Sequence, residues 1–211
     1  MEKLSKLNSD NYIRNDFFIT PIFQFKNLDL AIKLKEFILK QKINGIESNI
    51  AIGLKHNLSE SSFDFFNNQE PIIIESKNYL ASCLKEVLND IQNEKCDYKV
   101  NFFESWYHIG AKNSSHDIHM HANCSWCGVF YLQTDDKKNG GSTVFNSPIK
   151  TNYFDFGSFQ MNETDISIIP EEGGVVFFPS YLQHYQTIYM GNKDRIVVAF
   201  NCRILEKVNN S

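Results

Sequence analysis

The feature that most limits the possible folds is a change in the spacing of apolar residues near Tyr98. Before Tyr98, apolar side chains recur every three or four residues, as on one face of a helix. After it they alternate with polar ones, and clusters of Gly, Pro, Asn and Asp separate short apolar runs. A chain of 211 residues is long enough for one sizeable core. We therefore expect a single domain over 1–211, with a helical supporting region at 1–97 and a β-rich core at 98–206.

Two helices are predicted in the first half. One covers roughly Leu28 to Gln41, with Asn27 available as its N-cap. The second, between about Ser76 and Asn93, has a clear apolar stripe. Between them, Ser48 to Glu70 is rich in Asn and Ser and predicts a long irregular connection.

Short strands are predicted throughout the second half. From Tyr98 the residues Val100, Phe102, Glu104 and Trp106 alternate with their neighbours and predict one strand face. Further strands are predicted at Ile118–His121, Gly128–Gln133, Ser142–Asn146, Ile166–Ile169, Val175–Phe178, Gln186–Tyr189 and Ile196–Ile204. This pattern favours a mainly β sandwich or jelly roll, with the N-terminal helices packed on one sheet.

Charge and hydropathy exclude several classes of partner. The formal net charge is -4. We therefore expect no nucleic-acid-binding patch, because such a patch would need clustered Lys and Arg. No apolar run approaches the roughly 18 residues that a membrane span needs, and the first twenty residues lack the apolar core of a secretory signal. We therefore expect a cytoplasmic protein that does not bind membranes.

Five cysteines make an odd number in such a chain, so a disulfide framework is not expected. Cys124 and Cys127 form a C-x-x-C pair, which can indicate zinc or redox chemistry. No second pair follows at zinc-finger spacing. Packing as small buried thiols is the favoured interpretation.

Three potential metal ligands lie in one short segment. In a strand, Asp117, His119 and His121 would share a face because side chains alternate. His184 follows a predicted strand, and a neighbouring strand could bring it opposite that face. Two close ligands and one distant ligand are typical of non-haem iron sites with open positions. Exposed or hydrogen-bonded histidines without a metal are the alternative.

Arg195 is a candidate anion-binding residue at the start of the last predicted strand. Only three arginines occur in the chain, whereas lysine is common. A guanidinium can bind a carboxylate through two parallel hydrogen bonds. The alternative is a surface ion pair with Asp194 or a glutamate.

An ordered series of motifs resembles the Fe(II)- and 2-oxoglutarate-dependent oxygenases. Its members, in order, are His119–His121, Gly128–Leu132, Gly140–Phe145, Pro170, Gly173–Ser180, His184 and Arg195. The resemblance covers roughly Trp106 to Arg203. It is to the prolyl-4-hydroxylase-like branch, and most closely to the oxygenases of marine bacteria and their phages.

The resemblance implies a double-stranded β-helix, or jelly roll, that binds Fe(II) and 2-oxoglutarate. His119 and His184 would be metal ligands. Arg195 would bind the distal carboxylate of 2-oxoglutarate, and Tyr131 would hydrogen-bond the same group. Asn201 is similar to a polar position near the cosubstrate.

The first ligand motif departs from the usual pattern. Most members of this superfamily have His-x-Asp or His-x-Glu, whereas this chain has His121 at the acid position. We prefer His119, His121 and His184 as the ligand set, because His121 keeps the family's spacing to Gly128. Asp117 is an alternative carboxylate ligand.

The expected reaction is oxidative decarboxylation of 2-oxoglutarate with O2, coupled to oxidation of a C–H bond, by default a hydroxylation. The alternatives are a three-histidine, cupin-like dioxygenase without 2-oxoglutarate, and a non-catalytic jelly-roll structural or binding protein. The substrate, small-molecule or peptidyl, and the oligomeric state are not predicted. Asn49–Pro71 and Ile149–Glu163 are the loops expected to select the substrate.

Overall fold

The protein is described here from a computed structural model, in which residues 20–43, 49–50, 55–93, 95–148 and 165–208 are described. Two α-helices and ten strands account for most of these residues. In chain order they are β1 (Phe23–Lys26), α1 (Leu28–Ile43), β2 (Asn49–Ile50), β3 (Lys55–Glu60), α2 (Pro71–Gln92), β4 (Asp97–His119), β5 (Trp126–Gln133), β6 (Thr143–Asn146), β7 (Asp165–Ile168), β8 (Gly174–Pro179), β9 (His184–Gln186) and β10 (Arg195–Val208).

Both predicted helices form, close to their predicted bounds. The Asn27 side chain accepts a hydrogen bond from the Leu30 backbone N–H at 3.0 Å, which confirms it as the cap of α1. Helix α2 begins earlier than predicted, because Pro71 occupies its first turn, where a missing N–H is tolerated. It ends at Gln92, and the next residue, Asn93, adopts the left-handed conformation that commonly terminates helices.

The strands form one curled antiparallel sheet. Its order is β1-β8-β5-β10-β4-β9-β6-β7, and β3 pairs with β4 and with the short β2. β1 and β3 come from the N-terminal region, so that region contributes strands as well as helices. The observed architecture is the mainly β jelly roll with two helices that the sequence predicts.

The two faces of the sheet are covered differently. On the outer face, both helices pack against alternate residues of the central strands, including Phe130, Phe177 and Phe200. On the inner face, a smaller apolar cluster contains their neighbours Tyr131, Phe178 and others. The helices therefore support one side of the sheet, and the inner side of the curl stays available for a site.

A bulge in β4 changes which residues face inward. Asn201 of β10 pairs with Glu104, but the next residue, Cys202, pairs with Phe102, so Phe103 is an extra residue in β4. Phe102 consequently lies in the outer core, whereas Glu104 lies opposite Asn201 on the inner face. The prediction that Phe102, Glu104 and Trp106 share one face is therefore wrong.

Three predicted segments differ from the structure. Ser48–Glu70 is not wholly irregular, because β3 lies within it and is held by backbone pairing with β4, which needs no apolar alternation. Ile118–His121 is not a separate strand; β4 continues to His119. The strand predicted at Gln186–Tyr189 is instead β9, two residues earlier.

The predicted loop Ile149–Glu163 lies outside the described residues. Among the residues that are described, no helix is long and apolar enough to cross a membrane.

Candidate active site

Three histidines meet on the inner face of the sheet. His119, His121 and His184 each place one ring nitrogen within 4.8 Å of the others, a spacing that one metal ion can bridge. Their ring centroids lie 4.3 to 5.2 Å apart. The structure thus brings together the three histidines predicted from the sequence.

Strand pairing brings the distant histidine to the other two. β4 pairs with β9 so that His119 lies directly opposite His184. β4 ends at His119, and His121 lies two residues later in the connection to β5. His121 is therefore placed by a loop, not by the strand alternation that the sequence suggests.

A second irregularity in β4 adds a fourth ring to this group. The pairing with β9 advances from His116↔Gln186 to His119↔His184, so β4 contains one extra residue between them. The rings of His116 and His119 stack with centroids 4.0 Å apart and planes 19° apart. His116 was not predicted to join this group, because strict alternation places it on the face opposite His119.

Backbone carbonyls orient two of the three rings. His119 Nδ1 lies 2.8 Å from the Asp117 carbonyl oxygen, and His184 Nδ1 lies 3.0 Å from that of Leu182. A carbonyl can only accept, so each Nδ1 carries the proton and each Nε2 presents a lone pair. These two imidazoles are therefore held in the tautomer that coordinates a metal through Nε2.

His121 has a different neighbour. Its Nδ1 lies 3.4 Å from the Asn201 side-chain nitrogen, which also donates to Glu104 Oε2 at 2.8 Å. An amide nitrogen only donates, so it does not hold a proton on His121 Nδ1 as a carbonyl would. Asn201 is 1% exposed, and its side-chain oxygen has no hydrogen-bond partner among the described residues. The polar pair Glu104–Asn201 thus lies directly behind His121.

Burial keeps these imidazoles neutral. Desolvation, reinforced by His119, lowers the pKa of His121 to about 4 and that of His184 to about 3. Desolvation also lowers the pKa of His119. Since only a neutral imidazole has a lone pair to donate, the three rings are ready to bind a metal at neutral pH.

Asp117 lies outside the group of three. Its exposed carboxylate is 3.3 Å from Nε2 of the exposed His56 on β3. Its contribution to the histidine group is the backbone carbonyl that holds His119.

Arg195 lies in the same pocket as the histidines and is 3% exposed. Its Nε donates to the Gly141 carbonyl at 3.0 Å, and no carboxylate in the described part of the chain forms an ion pair with it. Gly141 has φ +73°, and a Cβ there would lie 3.0 Å from Arg195 Cδ. Glycine therefore permits the close packing of this side chain. A buried guanidinium without a counter-ion is a strong site for an anion.

Tyr131 lies beneath the arginine. The Arg195 guanidinium carbon is 5.5 Å from the centre of the Tyr131 ring. The Tyr131 hydroxyl is 2.7 Å from Thr143 Oγ1, and Thr143 lines the pocket. Arg195, Tyr131 and Thr143 thus form a connected polar group at one end of the pocket.

A second buried polar group, not predicted from the sequence, lies beside the histidines. His108 Nε2 is 2.6 Å from Glu60 Oε2 and 3.0 Å from Trp106 Nε1. Lys55 forms an ion pair with the same Glu60 oxygen. Burial lowers the pKa of His108 despite the carboxylate beside it. Detecting this group from sequence would have required knowing that β3 pairs with β4 and that a bulge turns His108 inward.

The donor set fits ferrous iron. Imidazole nitrogen is a suitable donor for Fe(II), and the rings His119 and His184 already present free Nε2 lone pairs. The three neutral imidazoles supply no negative charge, and Arg195 adds a positive charge. The pocket therefore favours an anionic molecule in addition to the metal ion. A dicarboxylate that chelates the metal and reaches Arg195 meets both requirements.

Comparison with known proteins agrees with this site. Residues 104–201 match the family described as "Putative 2OG-Fe(II) oxygenase". The matched segment runs from Glu104 to Asn201 and contains all three histidines and Arg195. No curated protein gives a significant sequence match.

Several solved structures share the fold at low sequence identity. A prolyl-4-hydroxylase from Pseudomonas putida is 13% identical, with a TM-score of 0.60 over 87% of this chain and 93% of that one. A prolyl hydroxylase from Trichoplax adhaerens, solved with a hypoxia-inducible-factor peptide, is 12% identical, with a TM-score of 0.59 over 87% and 83%. HygX from Streptomyces hygroscopicus, solved with nickel, 2-oxoglutarate and hygromycin B, is 12% identical, with a TM-score of 0.57 over 88% and 84%.

The jelly roll thus carries a pocket in which three histidines could hold one metal ion. The family match makes the class specific: residues 104–201 match the 2OG-Fe(II) oxygenases, and the protein is an Fe(II)- and 2-oxoglutarate-dependent oxygenase whose fold is shared with prolyl hydroxylases. This result favours the oxygenase over the cupin-like and non-catalytic alternatives.

Proposed function

We propose that the protein hydroxylates a C–H bond of an organic substrate, with Fe(II) held by His119, His121 and His184 and the distal carboxylate of 2-oxoglutarate bound by Arg195. One observation carries the proposal. Three neutral imidazoles and a buried guanidinium without a described counter-ion line the same pocket. This combination provides separate positions for a metal and for a carboxylate.

When bound, Fe(II) supplies the activation of O2 and the oxidative decarboxylation of 2-oxoglutarate to succinate and CO2. The chain supplies ligand geometry and charge. His119 and His184 direct their Nδ1 protons to backbone carbonyls, so their Nε2 atoms keep free lone pairs for the metal. Arg195 is buried, and burial strengthens its interaction with a carboxylate.

Tyr131 and Thr143 extend the proposed carboxylate site. Their hydroxyls bond to each other at 2.7 Å, so one of them keeps a donor for the carboxylate beside Arg195. For Asn201 the position beside His121 supports a role in holding that ring, more than direct contact with the cosubstrate. Asp117 is not among the ligands in this proposal, because its carboxylate lies beside His56.

The substrate is proposed to be a small molecule or a peptidyl group that enters beside β3. Phe63 follows β3, is 49% exposed, and packs on Trp106 with ring centroids 5.1 Å apart. Trp106 in turn lines the pocket. This contact supports the earlier prediction that Asn49–Pro71 helps to select the substrate.

The direct test is anaerobic titration followed by turnover. We expect one Fe(II) per chain, a weak visible charge-transfer band when 2-oxoglutarate is added, and formation of succinate when O2 is admitted. Screening a host lysate for substrates that raise succinate formation would then identify the substrate class. Absence of Fe(II) binding, or binding of Fe(II) without 2-oxoglutarate, would contradict the proposal; the second result would favour the cupin-like dioxygenase.

Two further proposals concern the cellular location of the enzyme and the kind of organism that encodes it. None of the five cysteines forms a disulfide, which is consistent with a cytoplasmic location. The abundance of Asn, Lys, Ile and Phe is consistent with an AT-rich genome, such as that of a marine bacterium or its phage.

A further inference from the structure

One cysteine of the C-x-x-C pair, Cys127, lies in the wall of the proposed iron pocket. Cys124 Sγ and Cys127 Sγ are 3.6 Å apart, within hydrogen-bonding distance for two sulfurs. Cys127 lines the pocket and lies opposite Asn201 of β10. Cys124 lies in the connection between β4 and β5, which also carries His121.

We propose that Cys124 and Cys127 are a redox-active dithiol that a peroxide converts to a disulfide, and that this oxidation weakens metal binding. The second part rests on the proposed function; the first does not. In the reaction, the Cys124 thiolate attacks one peroxide oxygen, the O–O bond breaks, and Cys124 becomes a sulfenic acid. The Cys127 sulfur then attacks the Cys124 sulfur and displaces the hydroxyl group. Overall, two thiols and one H2O2 give one disulfide and two molecules of water.

The two cysteines are suited to different steps. Cys124 is partly exposed, whereas Cys127 is only 1% exposed. The hydrogen bond from Cys127 lowers the pKa of Cys124, and Arg203 contributes in the same direction. That hydrogen bond and burial raise the pKa of Cys127. Cys124 is thus the accessible thiolate, and Cys127 is the resolving thiol within reach.

The backbone around Cys124 connects it to His121. The Ser180 hydroxyl donates to the Cys124 carbonyl at 2.7 Å, and the Ser180 carbonyl accepts the His121 N–H at 3.3 Å. Forming an S–S bond of about 2.05 Å requires the sulfurs to approach by more than an ångström. Since Cys127 lies within β5, we expect the movement in Cys124 and in the connection that carries it, and His121 lies three residues away on that connection.

A zinc site does not fit the same observations. Structural zinc needs four ligands, and the described residues offer no group of three or more cysteines, histidines or carboxylates around this pair. Cys202 is buried behind them and forms no disulfide.

Tryptic digestion tests the disulfide directly. Cleavage after Lys112 and Lys137 gives one peptide that contains Cys124, Cys127 and no other cysteine. After limited H2O2 treatment of the full chain and blocking with iodoacetamide, we expect this peptide to lose two hydrogens and carry no alkyl group. Dithiothreitol should restore two alkylation sites. The peptides with Cys83, Cys96 and Cys202 are internal controls and should be unaffected.

Metal binding tests the consequence. We expect Co(II), used as an air-stable substitute for Fe(II), to bind the oxidised chain about tenfold or more weakly than the reduced chain. Cys127→Ser, which cannot form the disulfide, should bind Co(II) with the same affinity before and after peroxide. Cys124→Ser is the matched variant that removes the attacking sulfur.

Two results would overturn the proposal. If peroxide oxidises Cys124 to a sulfinic acid while Cys127 remains open to alkylation, the two do not act as a pair. If the disulfide forms and Co(II) affinity is unchanged, the coupling to the metal site is wrong. A reduced chain that binds no metal at all would instead contradict the proposed function, and the peptide result would stand.

Discussion

His119 lies directly opposite His184 across the pairing of β4 with β9, with ring centroids 4.3 Å apart. Each ring is anchored by a backbone carbonyl that its own chain segment supplies. The two rings are therefore set by the sheet before any metal binds, whereas His121 is set by a loop. This difference predicts unequal responses to substitution.

Removal of either anchored histidine should abolish metal binding. For His119→Ala and His184→Ala we expect Fe(II) affinity to fall by more than the roughly 10- to 100-fold that loss of an outer-shell partner causes. The matched control is His56→Ala, an exposed histidine outside the group. Anaerobic calorimetry measures the dissociation constants. Unchanged affinity in His184→Ala would show that the histidine group is not the metal site.

The third metal ligand can be tested by substituting His121. His121→Asp should keep or raise Fe(II) affinity, because a carboxylate adds the missing negative charge and can accept a hydrogen bond from Asn201. His121→Ala should lose affinity, since two ligands hold ferrous iron poorly.

Asp117→Asn is the control for that exchange. Its carboxylate lies beside His56, so the substitution should change Fe(II) affinity little. A large loss in Asp117→Asn, together with a small effect in His121→Ala, would make Asp117 the third ligand.

The anion site is tested with the arginine. Arg195→Ala should weaken 2-oxoglutarate binding by roughly 2–5 kcal/mol, because the carboxylate would remain buried without its partner. The affinity of this variant for Fe(II) should remain unchanged. Arg203→Ala is the matched control, since Arg203 is exposed and its guanidinium packs on Phe103. Affinity for 2-oxoglutarate would be measured anaerobically on the metal-loaded chain. Equal affinity in Arg195→Ala and wild type would exclude Arg195 as the residue that binds the carboxylate.

The metal-free protein should lose stability in acid. Burial lowers the pKa of His116 to about 2, of His184 to about 3 and of His121 to about 4. Below about pH 6.5 the unfolded chain takes up protons at these histidines and the folded chain does not. The free energy of unfolding should therefore fall as the pH falls, by roughly 2–4 kcal/mol per pH unit below about pH 6.

Urea denaturation of the metal-free chain at several pH values measures this slope. His116→Gln removes one of the titrating groups and should reduce the slope by about 1 kcal/mol per pH unit. A stability that stays constant or rises between pH 7 and pH 5 would contradict the burial of these rings.

Local patterns in the sequence predicted both helices and most strands of the second half, and they singled out the three histidines that the structure brings together. The helices were predictable because an amphipathic stripe and a cap such as Asn27 are local features. The histidines were predictable because the motif order from His119 to Arg195 resembles a known family. Neither source reveals which neighbours surround a residue. His108, His116 and Glu60 were therefore missed, although His108 and His116 line the pocket and Glu60 contacts His108.

The tertiary structure decided which side chains of β4 lie on the inner face of the sheet. Sequence alternation assigns each strand residue to a face by counting, and one extra residue reverses every later assignment. β4 has such a residue at Phe103, which turns Glu104 inward, and another between His116 and His119, which places both rings on one side. Whether a bulge forms depends on the pairing of β4 with β10 and β9, strands that lie far along the chain. The sequence alone therefore determined that a metal site of histidines could form, and the long-range strand register decided which side chains surround it.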